Sequence, residues 1–398
     1  MLVVALMGTS RGRVGRLLFV CLLTGCGGSK TGVNPDAGAG GSGGGGTSGA
    51  GGTAGGGGGG VAGQDGGAPD SGDAGVTPTI VATLDGNPGS LAADGTNLYV
   101  TILSTPGHFD GKVEKVQKTA VGATGSAITT LASGLRAPNT IAVDGVSVYF
   151  RDTETAFPNN PSVFSVPVAG GTVTETAQSN TTTYTKLAIA NSVLYSVTGN
   201  TGTVSSFPLT AGTTSAGQVI YASTGLVGID SDGTSVFLLL YPPGGVPDEV
   251  HIYKIPVAGG ASADLVRLVG GTSPGDDFLV DDATKIYWSD QGTGGVYAIP
   301  KTGGVATPTP LATFPVSGCL APQIALDGND VYVLTPQTLS RLPKAGGTPV
   351  TLASASSSAQ SDSYIVCGNN ANAVALAVDA SYVYWLHESH AQILKLAK

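Results

Sequence analysis

The 398-residue chain carries 63 glycines, 41% hydrophobic residues and only 11% charged ones, a turn-rich profile with enough apolar material to bury a large core. Its 27 acidic residues outnumber the 18 basic ones, and no Lys/Arg cluster occurs beyond the N-terminus, so nothing draws in a phosphate backbone and nucleic acid is not expected as a partner. There is no G-x-S-x-G elbow, no H-E-x-x-H and no C-x-x-C, and the glycine runs do not join a strand to a helix, which removes the common hydrolase, zinc-protease, redox and phosphate-loop readings.

The chain opens with a targeting pattern. In RGRVGRLLFVCLLTGC, residues 11–26, three arginines (Arg11, Arg13, Arg16) precede a short apolar run from Leu17 to Leu23. That is the layout of a secretory signal, too short to span a bilayer. The apolar residues ahead of Gly8 are unusual for such a signal, and translation from either Met1 or Met7 fits the pattern. Leu23-Thr24-Gly25-Cys26 resembles the bacterial lipobox. The resemblance implies that residues 1–25 are a removed signal peptide and that Cys26 is lipidated as the first mature residue. Gly27, rather than an aspartate, follows that cysteine, which favours the outer over the inner membrane. Loss of residues 1–25 leaves 15 basic against 27 acidic groups, a net charge of −12.

Residues 26–76 are expected to form a tether. Between Gly32 and Val76, 22 of 45 residues are glycine and most others are small or polar, so the segment cannot bury enough apolar surface to offset its chain entropy. As a random coil it reaches on the order of 40 Å, and acyl chains on Cys26 would hold its far end in the membrane.

From Thr77 a repeat begins. Seven ten-residue windows align without a gap: LAADGTNLYV at 91, IAVDGVSVYF at 141, LAIANSVLYS at 187, IDSDGTSVFL at 229, LVDDATKIYW at 279, IALDGNDVYV at 324 and LAVDASYVYW at 376. Each is an apolar run, a turn and a second alternating run, which is a β-hairpin. A second pair of strands about a Gly-Gly turn follows most windows, as in SVFSVPVAGGTVTETA and LSRLPKAGGTPVTLA. Four-stranded units recurring every 42 to 52 residues have the period of propeller blades. The fold class predicted for 77–398 is therefore all-β, a seven-bladed β-propeller of four-stranded antiparallel blades. The blade pattern resembles bacterial propellers of the NHL, YWTD and streptogramin-lyase repeat group, a resemblance that implies the fold and no single function.

The last blade stops at Lys398 after three strands, whereas residues 79–84, TIVATL, have no hairpin partner. Those residues are predicted to supply the fourth strand and close the ring. Cys319 and Cys367 each precede the innermost strand of a blade, six and seven, and outside the cytoplasm they are expected to form a disulfide. Such a bridge would contribute about 4 kcal/mol on the loop-entropy model.

The chemistry is less legible. The repeated Asp94, Asp144, Asp232, Asp282, Asp327 and Asp379 are read as turn residues, because Asp at a turn bonds nearby amides; DSDG at 230 lacks the further ligands of a calcium loop. The aromatic column is read as packing between blades. Loops between second and third strands share a face with the interblade loops, and they carry His108, Asp110, Arg151, Asp152, Glu154, Asp248, Glu249, His251, Asp290, His387, Glu388 and His390. His387, His108 and His251 are the catalytic candidates, and Asp110, Arg151, Asp152, Glu154, Asp290, Glu388 and His390 the candidate ligand face. His387 and His390 would point to opposite faces of a strand, and only a turn would bring both to one metal, so no metal and no cofactor is assigned. The streptogramin-lyase resemblance implies a histidine base beside a divalent metal, with His387 as candidate, but no motif carries that histidine over.

The expected function is that of a lipid-anchored, noncatalytic module, monomeric, that binds an envelope protein or glycan. The alternatives are a metal-assisted lyase or hydrolase acting at the polar loop face, and a structural surface protein.

Overall fold

Each ten-residue window forms the hairpin that its pattern dictates, and seven such hairpins build the ring. The structure is a computed structural model that describes residues 77–398 except 153–161, 179–183, 199–201, 211–213, 216, 242–248, 270–277, 305–306, 316–320, 357–361 and 367–373. The described residues form seven four-stranded antiparallel sheets. Blade one is typical, with strands Asn87–Ala93, Asn97–Leu103, Gly111–Gln117 and Thr129–Leu135 hydrogen-bonded in chain order. The first strand of every blade touches the first strand of the next, so these strands line the axis.

Blade seven closes the ring as the sequence predicts. Its own strands are Leu376–Val378, Tyr382–His387 and Gln392–Ala397, and the outermost position is filled by Thr79–Thr83. Thr79 pairs with Lys395 and Thr83 with Gln392, with a bulge between Ile80 and Ala82. Val81, Ala82 and Leu84 are buried in the cluster that joins blades six, seven and one. Covering the edge satisfies its backbone groups and removes a site for unwanted strand pairing.

The core lies between blades rather than within them. Val148, Phe150 and Val166 of blade two pack on Tyr99, Val113 and Leu131 of blade one, and Trp288 and Ile299 of blade five pack on Phe237 and Ile252 of blade four. Every member of the aromatic column, from Tyr99 and Tyr149 through Tyr195, Phe237, Tyr287 and Tyr332 to Tyr384, is buried.

One face is built from the hairpin turns, and the Asp column holds it. In six blades the aspartate Oδ1 accepts the amides two and three residues on, as Asp282 does from Thr284 and Lys285, both at 2.8 Å. Its Oδ2 accepts the hydroxyl of the aromatic column in five blades: Tyr99, Tyr149, Tyr287, Tyr332 and Tyr384 bond Asp94, Asp144, Asp282, Asp327 and Asp379 at 2.6 to 3.0 Å. The column therefore does more than fill space. In blade three, where Ala190 replaces the aspartate, Asn191 and Ser192 take the left-handed conformation that a tight hairpin turn needs.

A lysine just past the third strand adds a clasp between blades. Lys118, Lys301, Lys344 and Lys398 donate to Asp379, Asp232, Asp282 and Asp327 of the preceding blade at 2.7 to 2.9 Å. Each also lies 5.1 to 5.4 Å over that blade's aromatic ring, where the ring's negative face attracts the ammonium. The equivalent positions of blades two, three and four are Val168, Leu209 and Val257. Four junctions are thus clasped by charge, and the other three carry an apolar residue at that position. Asp230, in the calcium-like DSDG, accepts the Asp281 amide at 2.8 Å and so serves structure too.

Candidate functional site

The opposite face carries the loops between second and third strands and the interblade connections, and hydrogen bonds between the two kinds of loop confirm that they share it. The connection between blades six and seven passes through Asp362–Val366 and lies against the turn of blade seven. There Glu388–His390 form a single 3-10 turn that begins at His387 and ends at Ala391 in the left-handed conformation. The turn rotates the two imidazoles onto one side, with ring centroids 4.2 Å apart. This meets the condition under which both histidines reach one ligand.

Loop and turn are laced together. The Glu388 amide donates to the Tyr364 carbonyl at 3.1 Å, the Ser363 amide to Ser389 Oγ at 3.0 Å, and the Val366 amide to Glu388 Oε2 at 2.8 Å. Tyr364 packs edge-on against His387 at 5.0 Å. Asp362, which sequence reasoning missed, places Oδ1 at 3.1 Å from His387 Nε2 and 3.7 Å from His390 Nδ1. Burial, reinforced by the neighbouring His390, holds the His387 imidazole below its ordinary value against the pull of Asp362. Burial also pushes Glu388 up to about 7, even though it accepts the Val366 amide.

The other candidates are dispersed. His108 is exposed in the loop between the second and third strands of blade one. Asp110 braces that loop by accepting the Thr105 amide at 2.8 Å and its hydroxyl at 2.7 Å. His251 belongs to the third strand of blade four, Glu249–Pro256, where Nδ1 lies 2.9 Å from Asp264 Oδ2 and Nε2 3.4 Å from Glu249 Oε2; Arg267 pairs with Glu249 as well. His108, His251 and His387 thus stand on blades one, four and seven, and no hydrogen bond or ion pair between them occurs among the described residues.

Two buried acids on this face serve the loops. Asp152 accepts the amides of Arg136 at 3.2 Å and Ala137 at 2.8 Å, pinning the connection between blades one and two. Asp290 accepts the Thr293 amide at 2.8 Å and caps its own turn. Arg151 differs from both. It is 4% exposed, its Nη1 reaches only Asn139 Oδ1 at 3.4 Å, and its Nε has no hydrogen-bond partner among the described residues. Burial pulls its guanidinium down to about 10 despite the adjacent Asp152. Glu154, Asp248, Cys26, Cys319 and Cys367 lie outside the described residues, and with them the predicted lipid site and disulfide.

A hollow of about 620 Å³ lies instead on the hairpin-turn face, lined by Asp94, Lys118, Asp379, Tyr384 and Lys395 among others. Its charges are committed: Lys118 to Asp379, and Lys395 to the carbonyls of Lys118 at 2.8 Å and Ala120 at 3.3 Å. It is the seam where the ring closes.

No family model and no curated relative matches the chain. Solved structures do. Hydrazine synthase of Kuenenia stuttgartiensis aligns at 15% identity over 81% of this chain and 96% of that chain, with a TM-score of 0.54. PorZ, an essential bacterial surface component of the type-IX secretion system of Porphyromonas gingivalis, aligns at 12% identity over 80% of this chain and 37% of that chain, with a TM-score of 0.51. At such identities the likeness defines the class by fold alone, a seven-bladed β-propeller. Among the described residues no helix is long and apolar enough to cross a membrane.

Proposed function

We propose that the protein is a cell-envelope lipoprotein, anchored through Cys26 and held off the membrane by residues 26–76, that displays its propeller as a noncatalytic binding module. The loop face takes a protein or glycan partner, and the lipid anchor sits in the outer membrane. The observation that supports this reading best is Arg151, a cation buried on the loop face with its Nε unpartnered among the described residues, at a position where the repeat requires no charge. Structural need does not account for it, whereas recognition of an acidic or polar group does. PorZ, which shares the fold, is a bacterial surface component, and that setting is compatible with such a module. His108, His251 and His387 stand on separate blades, and among the described residues no hydrogen bond or ion pair links them.

Two measurements test the reading. Cys26→Ser should move the protein from the membrane to the soluble fraction. Immobilised propeller, residues 77–398, should capture an envelope component that the Arg151→Met form captures at least about tenfold less well. Membrane retention of the serine form, or equal capture by both forms, contradicts the proposal.

A further inference from the structure

The turn of blade seven holds a second feature that the binding reading does not use. Asp362, His387 and His390 each present a ligand atom, and these atoms lie within 4.8 Å of one another. His387 is 7% exposed, and its Nε2, which faces Asp362, is sealed from solvent and has no aligned hydrogen bond among the described residues although the carboxylate is 3.1 Å away. A buried imidazole nitrogen 3.1 Å from a carboxylate oxygen, with no well-aligned hydrogen bond among the described residues, departs from what buried polar atoms ordinarily show.

The geometry points to a binding site for one divalent transition cation of the zinc class, held by Asp362 from the connection between blades six and seven and by His387 and His390 from the turn of blade seven. Bonds of about 2.0 to 2.1 Å in a tetrahedral shell put neighbouring ligand atoms about 3.4 Å apart. The separations of Asp362 Oδ1 from His387 Nε2 and from His390 Nδ1, 3.1 and 3.7 Å, bracket that value. Two imidazoles and one carboxylate suit zinc and its neighbours rather than calcium or magnesium, which take mostly oxygen. Three protein ligands leave a fourth position, and the half-exposed His390 marks the side from which water reaches it.

The surroundings fit a preorganised site. Asp362 Oδ2 accepts the Ser356 hydroxyl, fixing the carboxylate plane. The amide bonds from Glu388, Ser363 and Val366 fix the loop to the turn. Such outer contacts orient ligands and sustain affinity. The ion would tie the last interblade connection to the blade that closes the ring.

The test uses the untagged chain and zinc alone, with calorimetric titration, metal analysis of the dialysed protein and thermal unfolding. The site predicts one equivalent of zinc bound and a melting temperature that rises with zinc, because an ion bound only by the native state stabilises it. His390→Ala, at a half-exposed position, and the near-isosteric Asp362→Asn should each bind at least about tenfold more weakly and lose the zinc-dependent shift, while His108→Ala should retain both. Cobalt in place of zinc should give the visible absorption of a four-coordinate ion in the native protein and not in either variant. No zinc bound to the native chain, or equal binding by Asp362→Asn and His390→Ala, overturns the inference. The binding-module reading stands or falls separately on Cys26 and Arg151.

Discussion

The two faces of the ring use the same residue types for opposite ends. On the hairpin-turn face, aspartate recurs at one position and its oxygens are spent: Asp327 caps Asn329 and Asp330, takes the Tyr332 hydroxyl and takes Lys398 from the next blade. On the loop face, charged residues occur once each, and some keep atoms without a hydrogen-bond partner among the described residues, as with Arg151 Nε and His387 Nε2. Repetition with full satisfaction marks what holds the ring, whereas the singular residues of the loop face are not required by the repeat.

The contrast is tested most severely at the closing strand. Removing residues 77–86 uncovers the edge of blade seven and deletes the buried Val81, Ala82 and Leu84, a loss of at least about 5 kcal/mol from apolar burial and ladder hydrogen bonds together. Urea unfolding should show an early, broadened transition; a truncated form that unfolds like the intact chain would mean that the strand does not close the ring.

A cut within the turn network comes next. Asp282→Ala strips two amides, the Tyr287 hydroxyl and Lys344 of their acceptor and should cost about 2 to 4 kcal/mol. Lys344→Met leaves the turn capped and removes only the clasp between blades, at about 1 to 2 kcal/mol for a pair that is mostly but not wholly buried. If the two variants unfold alike, the clasp, and not the cap, carries the stability.

Acid tests the same face without mutation. Burial alone would raise Asp379, but Lys118, the amides of Ser381 and Tyr382 and the Tyr384 hydroxyl outweigh it and hold the carboxyl down to about 2. Asp232, Asp282 and Asp327 are held low in the same way, burial being outweighed by lysine and amides. A carboxylate whose folded value lies below its unfolded value of about 3.9 contributes fully above that pH, and the contribution is lost as pH falls through the folded value. Stability should therefore decline from about pH 4 through about pH 2. Lys344→Met should lessen that decline, since it removes one cause of the depression at Asp282; an unchanged acid profile would count against the clasp.

How far the sequence reached follows from the same contrast. Seven ungapped windows announced the blades, and the unpartnered TIVATL announced the closure, because a repeat states its own geometry. The Asp and aromatic columns were visible as columns, five positions apart. The five-residue spacing lets the tyrosine hydroxyl turn back onto its own aspartate, but packing alone is enough to explain an aromatic column, so the spacing does not require the bond. The lysines after VQ, IP, LP and LA were also in view, but their partners lie in the preceding blade, a relation that only the closed ring reveals. Asp362 lay hidden for a different reason. It sits in the long connection between blades six and seven, which no other blade repeats, and only the 3-10 turn at Glu388–His390 shows what it faces.

Urea unfolding of Asp282→Ala and Arg151→Met, side by side, tests the division between the faces most directly. Arg151→Met removes a buried, poorly paired cation, and replacing such a charge with an apolar side chain of similar length is often neutral or stabilising. If the faces divide as described, the methionine form keeps native stability to within about 1 kcal/mol while the alanine form loses about 2 to 4 kcal/mol. Equal losses in the two variants, or a larger loss at Arg151, would contradict the division in which one face holds the ring and the other serves its function.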